Sequence, residues 1–289
     1  MQTNNIKIYD MTLRDGLQSL KAYPLETKIE CINEIFKNNF YYVDYGTVTK
    51  DNSIKQMYNS DEILEYIKIN FPNTNTIYGI LIPNINSLNY DIVNKNNAFS
   101  LLCTIDDTYS YKNFNKSAKD NFNDVIKMLH FIIKFNYSLK KIRIYIACAF
   151  NKCKNNCIDL YNYTSEIISI IKKYNLNSEI IDIVFADTYN DINKEVLFDI
   201  LSIFTPDKKK YIGLHLHCGN DFSEIIDICI KMKIDKIDSG LCNIGSCNFI
   251  KHKPTNYIST IELVKHLNNS LDLEILKNTE NNLINILKL

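Results

Sequence analysis

The sequence predicts an α/β fold, a closed (β/α)8 TIM barrel with an additional C-terminal helix, and three observations carry that expectation. Short β-branched runs alternate with longer amphipathic ones, and the alternation occurs eight times. Each short run is apolar at nearly every position, as parallel strands buried on both faces require. Eight strand–helix units occupy roughly 250 residues in this fold, and the chain has 289. An open doubly wound sheet usually has fewer strands and a glycine-rich phosphate loop after the first. Here the first strand runs into Arg14-Asp15-Gly16-Leu17-Gln18 instead.

Strands are expected at 6–13, 41–47, 76–82, 99–105, 141–149, 181–188, 211–218 and 236–242. Between them, apolar residues at three-to-four spacing predict helices at 25–38, 60–71, 117–135, 160–174, 194–204, 222–233 and 260–267. The segment 86–94, after the third strand, has the weakest helical pattern. Ser60 and Ser259 are read as N-caps, with Asp61, Glu62 and Glu262 as first-turn acids. The tail 275–289 reads as an extra helix that closes one end of the barrel. With no Pro- or Ser-rich boundary and no internal repeat, 1–289 is expected to form a single domain.

Composition narrows the class. Hydrophobic residues make up 46% and charged residues 23%, the profile of an ordinary globular protein. Basic and acidic residues balance at 33 each, so net charge favours neither nucleic acid nor an anionic membrane. No apolar run approaches the roughly 20 residues of a membrane span. The start, MQTNNIKIYD, has neither an apolar signal core nor an Arg-rich presequence, and the terminal Ile-Leu-Lys-Leu lacks the small residue of a peroxisomal tail. Nine cysteines, mostly inside apolar runs, fit reduced thiols better than a disulfide framework. A cytoplasmic protein is expected. Cys153 and Cys157 have a spacing that zinc could use, but no second pair follows, and exposed loop positions are expected for both.

In such a barrel the active site forms at the C-terminal ends of the strands. The polar residues there are Arg14, Asp15 and Gln18 after strand one, Asp44 on strand two, Asp187 on strand six, His215 and His217 on strand seven, and Cys247 and Asn256 beyond strand eight. His215 and His217 are two apart on a strand, so both point to one face. Two imidazoles make half of a metal site, and an Asp with an Asn or water would complete a shell suited to Mg²⁺ or Mn²⁺. The competing reading is a hydrogen-bonded pair of core histidines. Arg14 beside Asp15 also reads as a structural ion pair, and Cys247 as a small buried hydrophobe, although Gly245 and Ser246 place it in a loop.

The run Leu13-Arg14-Asp15-Gly16-Leu17-Gln18, with the later His-x-His and Gly-Ser-Cys, resembles the DRE-TIM metallolyase superfamily. Within it the chain is most similar to the 3-hydroxy-3-methylglutaryl-CoA lyase family, from about residue 7 to about residue 267. Gln56-Met57, Leu81-Ile82-Pro83-Asn84 and Lys112-Asn113-Phe114-Asn115-Lys116-Ser117 extend the match in the same order. The resemblance implies a divalent metal ion, Mg²⁺ or Mn²⁺, held by Asp15, His215, His217 and Asn256. It implies that Arg14 stabilises an enolate, that Cys247 is a mobile-loop acid/base, that Asp187 is a second carboxylate, and that Gln18 and Asp44 face substrate. The substrate would be an acyl-CoA, cleaved to acetyl-CoA and a keto acid. No nucleic acid or membrane partner is implied, and a homo-oligomer is compatible.

The sequence also departs from that pattern. His-x-His-Asp-Thr is here His215-Leu216-His217-Cys218-Gly219, and Gly-Leu-Gly-Gly-Cys-Pro is Asn243-Ile244-Gly245-Ser246-Cys247-Asn248. Asn can adopt the left-handed backbone that Gly supplies, so Asn243 is a tolerable replacement there. The Gly-Asn pair presenting the fourth ligand is Thr255-Asn256, and Asp10 and Asp44 stand where the pattern has Glu. Two other readings stay open: an aldolase or condensing enzyme of the same superfamily acting on a 2-oxo acid, and an inactive barrel serving as a binding subunit.

Overall fold

The computed structural model describes residues 6–18, 20–49, 52–151, 156–217, 221–245 and 258–289. Eight strands form a closed barrel in sequence order: β1 Lys7–Asp10, β2 Tyr42–Thr47, β3 Ile77–Ile82, β4 Ala98–Thr104, β5 Lys141–Ala147, β6 Ile181–Ala186, β7 Ile212–His215 and β8 Lys236–Ser239. Every expected strand is present, and β4 begins one residue earlier than expected. The C-terminal ends mostly stop short: β1 ends at Asp10, and Thr12–Gly16 coils into a π-helical turn. The open doubly wound alternative is excluded. Among the described residues no helix is long and apolar enough to cross a membrane.

The helices are α1 Leu25–Ile35, α2 Ser60–Asn70, α3 Tyr90–Lys95, α4 Asp107–Phe114, α5 Ala118–Phe135, α6 Asn156–Lys173, α7 Lys194–Ser202, α8 Pro206–Lys209, α9 Phe222–Lys231, α10 Thr260–Leu267 and α11 Leu273–Leu287. Two were not expected. α4 is short and polar, set by the Asp106 side chain accepting from the Tyr109 amide at 2.6 Å and ended by left-handed Asn115. α8 is a single turn opened by Pro206 at its first position. The weak pattern at 86–94 resolves into a 3-10 turn, Ile85–Ser87, and α3, each capped by an Asn side chain.

Ser259 caps α10 as expected, accepting from the Glu262 amide at 3.4 Å. Ser60 does not cap α2; it is the first helical residue, after Asn59. Its Oγ instead lies 2.8 Å from Met57 O and 3.1 Å from Thr47 O, and accepts from the Thr47 amide. Gly46 makes that approach possible, since a Cβ there would stand 2.5 Å from Ser60 Oγ. Cys157 is exposed as expected but belongs to α6 rather than a loop, and Cys153 lies outside the described residues. Among the described residues Cys31, Cys103, Cys148, Cys157, Cys229 and Cys242 are free thiols.

The chain divides into two compact units, Met1–Tyr78 with Ile237–Leu289, and Gly79–Lys236. In the first, β1 pairs with β2 in the register Tyr9↔Tyr42 and Asp10↔Val43. The Met11 amide reaches Ser239 O at 2.9 Å, which ties the end of β1 to β8. The extra C-terminal helix, α11, packs on α1 and α10. Asn38 Nδ2 donates to Thr279 Oγ1 at 3.0 Å, Tyr23 Oη to Leu287 O at 2.8 Å, and the Cys242 amide to Glu280 Oε1 at 2.8 Å. The helix therefore pins the outer face of α1 and the segments that follow β1 and β8.

In the second unit β3 to β7 run parallel, with β4 and β5 paired from Ala98↔Lys141 to Thr104↔Ala147. Phe122 of α5 stacks on Tyr163 of α6 at 3.7 Å between centroids. Strand parity puts Lys141, Arg143 and Tyr145 on one face of β5. There the Asp182 carboxylate of β6 lies 3.3 Å from Lys141 Nζ, 3.6 Å from Arg143 Nε and 3.5 Å from Lys236 Nζ. All four side chains are buried. Burial pushes the Lys141 ammonium down to about 8, against the opposing pull of Asp182. Asp182→Asn removes a carboxylate that lies near all three cations, so it should destabilise the protein by about 3–5 kcal/mol. Lys37→Ala, which breaks only a surface pair with Glu34, should change stability by less than about 1 kcal/mol. Urea unfolding of both variants checks the contrast.

Candidate active site

The first group of candidate residues stands on the π turn. The amides of Asp15 and Gly16 both donate to Met11 O, each at 3.0 Å, which coils the chain tightly just after β1. Arg14 and Asp15 thereby lie side by side and buried. Arg14 Nη1 donates to Asp15 Oδ1 at 2.8 Å, and Arg14 Nε to Asp44 Oδ2 at 3.2 Å. Arg14 Nη2 rests against the Met11 thioether at 3.8 Å, a weak acceptor. Gln18 Nε2 also donates to Asp15 Oδ1. The structure therefore brings Arg14, Asp15, Gln18 and Asp44 together, and it places Asp44 in an ion pair with Arg14.

The turn is held from behind by Asp10. Its carboxylate accepts from the Thr12 amide at 3.1 Å and from Thr12 Oγ1 at 2.7 Å, and Thr12 Oγ1 in turn accepts from the Leu241 amide at 2.9 Å. Full burial raises Asp10 to about 7, with the nearby Asp44 and Asp238 adding to the rise and the two Thr12 bonds opposing it. Gly16 packs closely on Ile244, since a Cβ there would stand 3.1 Å from its side chain, which would have to give by a few tenths of an ångström.

The second group lies in the other unit. His215 ends β7 and His217 follows two residues later. Their buried rings stand 5.2 Å apart between centroids, at 73°, so the two imidazoles share a face as the period-two reading expects. The Asp187 amide donates to His215 O at 2.9 Å. Asp187 is buried, which raises it to about 6, with the Asp191, His217 and Ile192 amides opposing the rise. Its Oδ1 accepts from the Asp191 amide at 2.9 Å.

Sequence reasoning missed two residues here. Tyr145 and His215 stand nearly perpendicular, 5.8 Å between ring centroids, and Arg143 Nη1 donates to Tyr145 Oη at 2.7 Å. The signal was available: charged or polar residues at every second position of an otherwise Ile-rich strand mark a face that is not ordinary core. Cys148, just beyond β5, was missed as a backbone feature. It takes φ 62° and donates its amide to Thr188 Oγ1 at 2.8 Å, which ties the β5 and β6 ends together.

Cys247 and Asn256 lie outside the described residues, as do Cys218 and Gly219. The described root of the segment after β8 has φ 64° at Cys242, 50° at Asn243 and 135° at Gly245. Asn243 is left-handed, the conformation that lets Asn stand in for Gly. Among the described residues no three His, Cys, Asp or Glu side chains form a group able to hold a metal ion. The paired imidazoles fit part of such a shell, and the remaining donors of the implied set are Asp15, in the first unit, and Asn256.

No protein-family model matches the chain, and no curated protein matches it in sequence. Solved structures do match. An HMG-CoA lyase from Bacillus subtilis shares 18% identity at a TM-score of 0.83, over 99% of this chain and 94% of that one. One from Brucella melitensis shares 18% at 0.81, over 98% and 99%. An HMG-CoA lyase from Acinetobacter baumannii, in complex with coenzyme A and 3-methylmalate, shares 18% at 0.76, over 100% and 93%. At these identities the likeness shows the fold.

The Asp10 site makes a pH prediction. Its folded value lies above its unfolded one, so its favourable contribution is complete below about 4 and is lost as pH rises through about 7, by at most roughly 4 kcal/mol. Asp10→Asn does not titrate. Denaturant unfolding at several pH values should therefore show the variant gaining on the wild type between about pH 4 and 7, and parallel curves would refute the raised value of the buried Asp10.

Proposed function

We propose that the protein is a divalent-metal-dependent carbon–carbon lyase that cleaves 3-hydroxy-3-methylglutaryl-CoA, or a closely related hydroxyacyl-CoA, to acetyl-CoA and a keto acid. The observation that carries the reading is Arg14 held on the π turn between Asp15 and Asp44. It is supported by the buried His215–His217 pair at the end of β7 and by a fold shared end to end with HMG-CoA lyases. The coenzyme A in one of those relatives supports the substrate class.

In this reading Asp15, His215, His217 and Asn256 would hold the metal, Mg²⁺ or Mn²⁺. When bound, the ion supplies Lewis acidity that polarises a substrate oxygen and lowers the pKa of the tertiary alcohol. The chain's own residues do the rest. Asp187 takes the hydroxyl proton, which lets a carbonyl form at C3 while the C2–C3 bond breaks and its electron pair becomes a thioester enolate. The Arg14 guanidinium meets that negative charge with a planar array of donors already fixed by two carboxylates, so little reorganisation is needed. Cys247 moves the proton that converts enolate to acetyl-CoA. Asp187 is the second carboxylate, and Gln18 and Asp44 orient the substrate and Arg14.

A coupled assay for acetyl-CoA release from several hydroxyacyl-CoA esters, with and without Mg²⁺ or Mn²⁺, tests the reaction. Metal-dependent release is expected, and no release from any ester would overturn the reading. Arg14→Lys keeps the charge but loses the fork, and should lower turnover by about 10²–10³ while leaving the melting temperature close to wild type. Cys247→Ser is nearly isosteric and much less acidic, so kcat should fall far more than KM rises. A Ser variant with normal kcat would remove Cys247 from the chemistry.

A further inference from the structure

The inward stripe of α11 is interrupted by a carboxylate. Leu276, Thr279, Leu283 and Leu287 are all buried and recur at helical spacing, which turns one face of the helix toward the protein. Glu280, four residues after Leu276, falls on that same face and is half-buried. Its Oε1 accepts from the Cys242 amide at 2.8 Å, and the Cys242 thiol lies 3.7 Å from its main-chain oxygen. A carboxylate drawn out of water costs free energy unless hydrogen bonds offset the loss. A residue that served packing alone would be apolar at this position.

We propose that Glu280 is a positioning residue, which fixes the turn 241–245 through the Cys242 amide and so sets the two parts of the candidate site that adjoin this turn. Cys242 and Asn243 take φ 64° and 50°, and Gly245 takes 135°. Asn and Gly visit positive φ readily, whereas Cys has no such preference, so an interaction has to hold Cys242 there. Hydrogen bonds with an ionised partner are among the stronger ones, and the bond from the Glu280 carboxylate falls on the amide of that very residue. The Leu241 amide is meanwhile fixed on Thr12 Oγ1 at 2.9 Å. Consecutive peptide units are therefore gripped from two sides, by the chain after β1 and by α11. Beyond them the buried Ile244 packs on Gly16, the residue that follows Arg14 and Asp15. In the other direction the chain runs on toward Cys247 and Asn256. Glu280 touches no reacting atom; it acts by setting where Ile244 stands and how the chain leaves Gly245. The importance of this turn for catalysis rests on the lyase reading, whereas the grip on Cys242 does not.

The test uses protein labelled with ¹⁵N-cysteine and amide exchange followed by NMR. In the wild type the Cys242 amide should exchange at least about a hundredfold more slowly than an unstructured amide. In Glu280→Ala it should exchange about tenfold faster than in the wild type, the factor for losing about 1.4 kcal/mol of hydrogen bonding. The amide of Cys31, inside α1 against which α11 packs, should keep its wild-type rate. Glu280→Gln retains the acceptor oxygen and should restore slow exchange at Cys242. On the ester that the wild type cleaves, Glu280→Ala should lower kcat by about tenfold with KM within a factor of two, and Glu280→Gln should recover most of the loss. An unchanged Cys242 rate in Glu280→Ala overturns the inference. So does Cys31 accelerating as much as Cys242, since Glu280 would then only hold α11 in place, and so does full kcat in Glu280→Ala. An unprotected Cys242 amide in the wild type overturns it even if the variant does not fold. A wild type inactive on every ester refutes the lyase reading instead, and the exchange rates then decide by themselves whether Glu280 holds the turn.

Discussion

The first unit depends on one carbonyl oxygen. Because Met11 O takes the amides of both Asp15 and Gly16, the chain leaves β1 as a π turn rather than as more strand. In a strand, consecutive residues point to opposite faces, and Arg14 and Asp15 would have parted. In the turn they meet at 2.8 Å, and Asp44 of β2 closes on the guanidinium from the other side. Three local features permit that geometry: Asp10 satisfies the Thr12 amide and hydroxyl, Gly16 admits Ile244, and Met11 remains tied to Ser239. A π turn inserted where regular structure would have continued is a recurrent way of aiming side chains at a functional site.

The second unit meets a related constraint with charge. β5 needs apolar residues outward against the helices, and Ile142, Ile144 and Ile146 supply them. The alternate face carries Lys141, Arg143 and Tyr145. Burying Lys141 and Arg143 costs solvation, and the attraction of Asp182 offsets it only where the geometry is good. The arrangement does more than balance charge. Asp182 engages β5 and Lys236 at once, Arg143 reaches onward to Tyr145, and Tyr145 sets its ring against His215. A run of contacts thus joins the ion cluster to the imidazole pair, so the ring of His215 rests on a rigid support rather than on a loop.

The sequence reading located every strand because an apolar run bounded by polar residues is a local signal. It overshot most strand ends because apolarity does not say where pairing stops. Residues 11–13 are as apolar as a strand would be, yet their backbone turns under the pull of Asp10 and Met11 O. α4 was missed because DTYSYKNF has little amphipathic pattern; its helical state comes from the Asp106 cap and left-handed Asn115. Ser60 was misread because a good capping residue was claimed by Thr47 and Met57, a tertiary contact that local sequence does not reveal. The His-x-His pair was legible from strand period alone. Arg143 and Tyr145 were not singled out because no motif accompanies them, although their alternation was visible.

The root of the segment after β8 shows how a left-handed backbone is held without glycine. The pattern that the sequence resembles has Gly where this chain has Asn243, and Asn243 takes the left-handed conformation, at φ 50°. Asn reaches it at small cost because its short polar side chain is tolerated there. Cys242 has no such tolerance, and a left-handed non-glycine residue costs on the order of 1–3 kcal/mol unless its surroundings enforce it. Here they do: the Cys242 amide is held by Glu280 of α11 at 2.8 Å, and the adjoining Leu241 amide by Thr12 at 2.9 Å. The C-terminal helix and the Asp10–Thr12 pair thus constrain the same short stretch from two sides. With the root of the segment fixed by these bonds, the left-handed backbone at positions 242 and 243 needs no glycine.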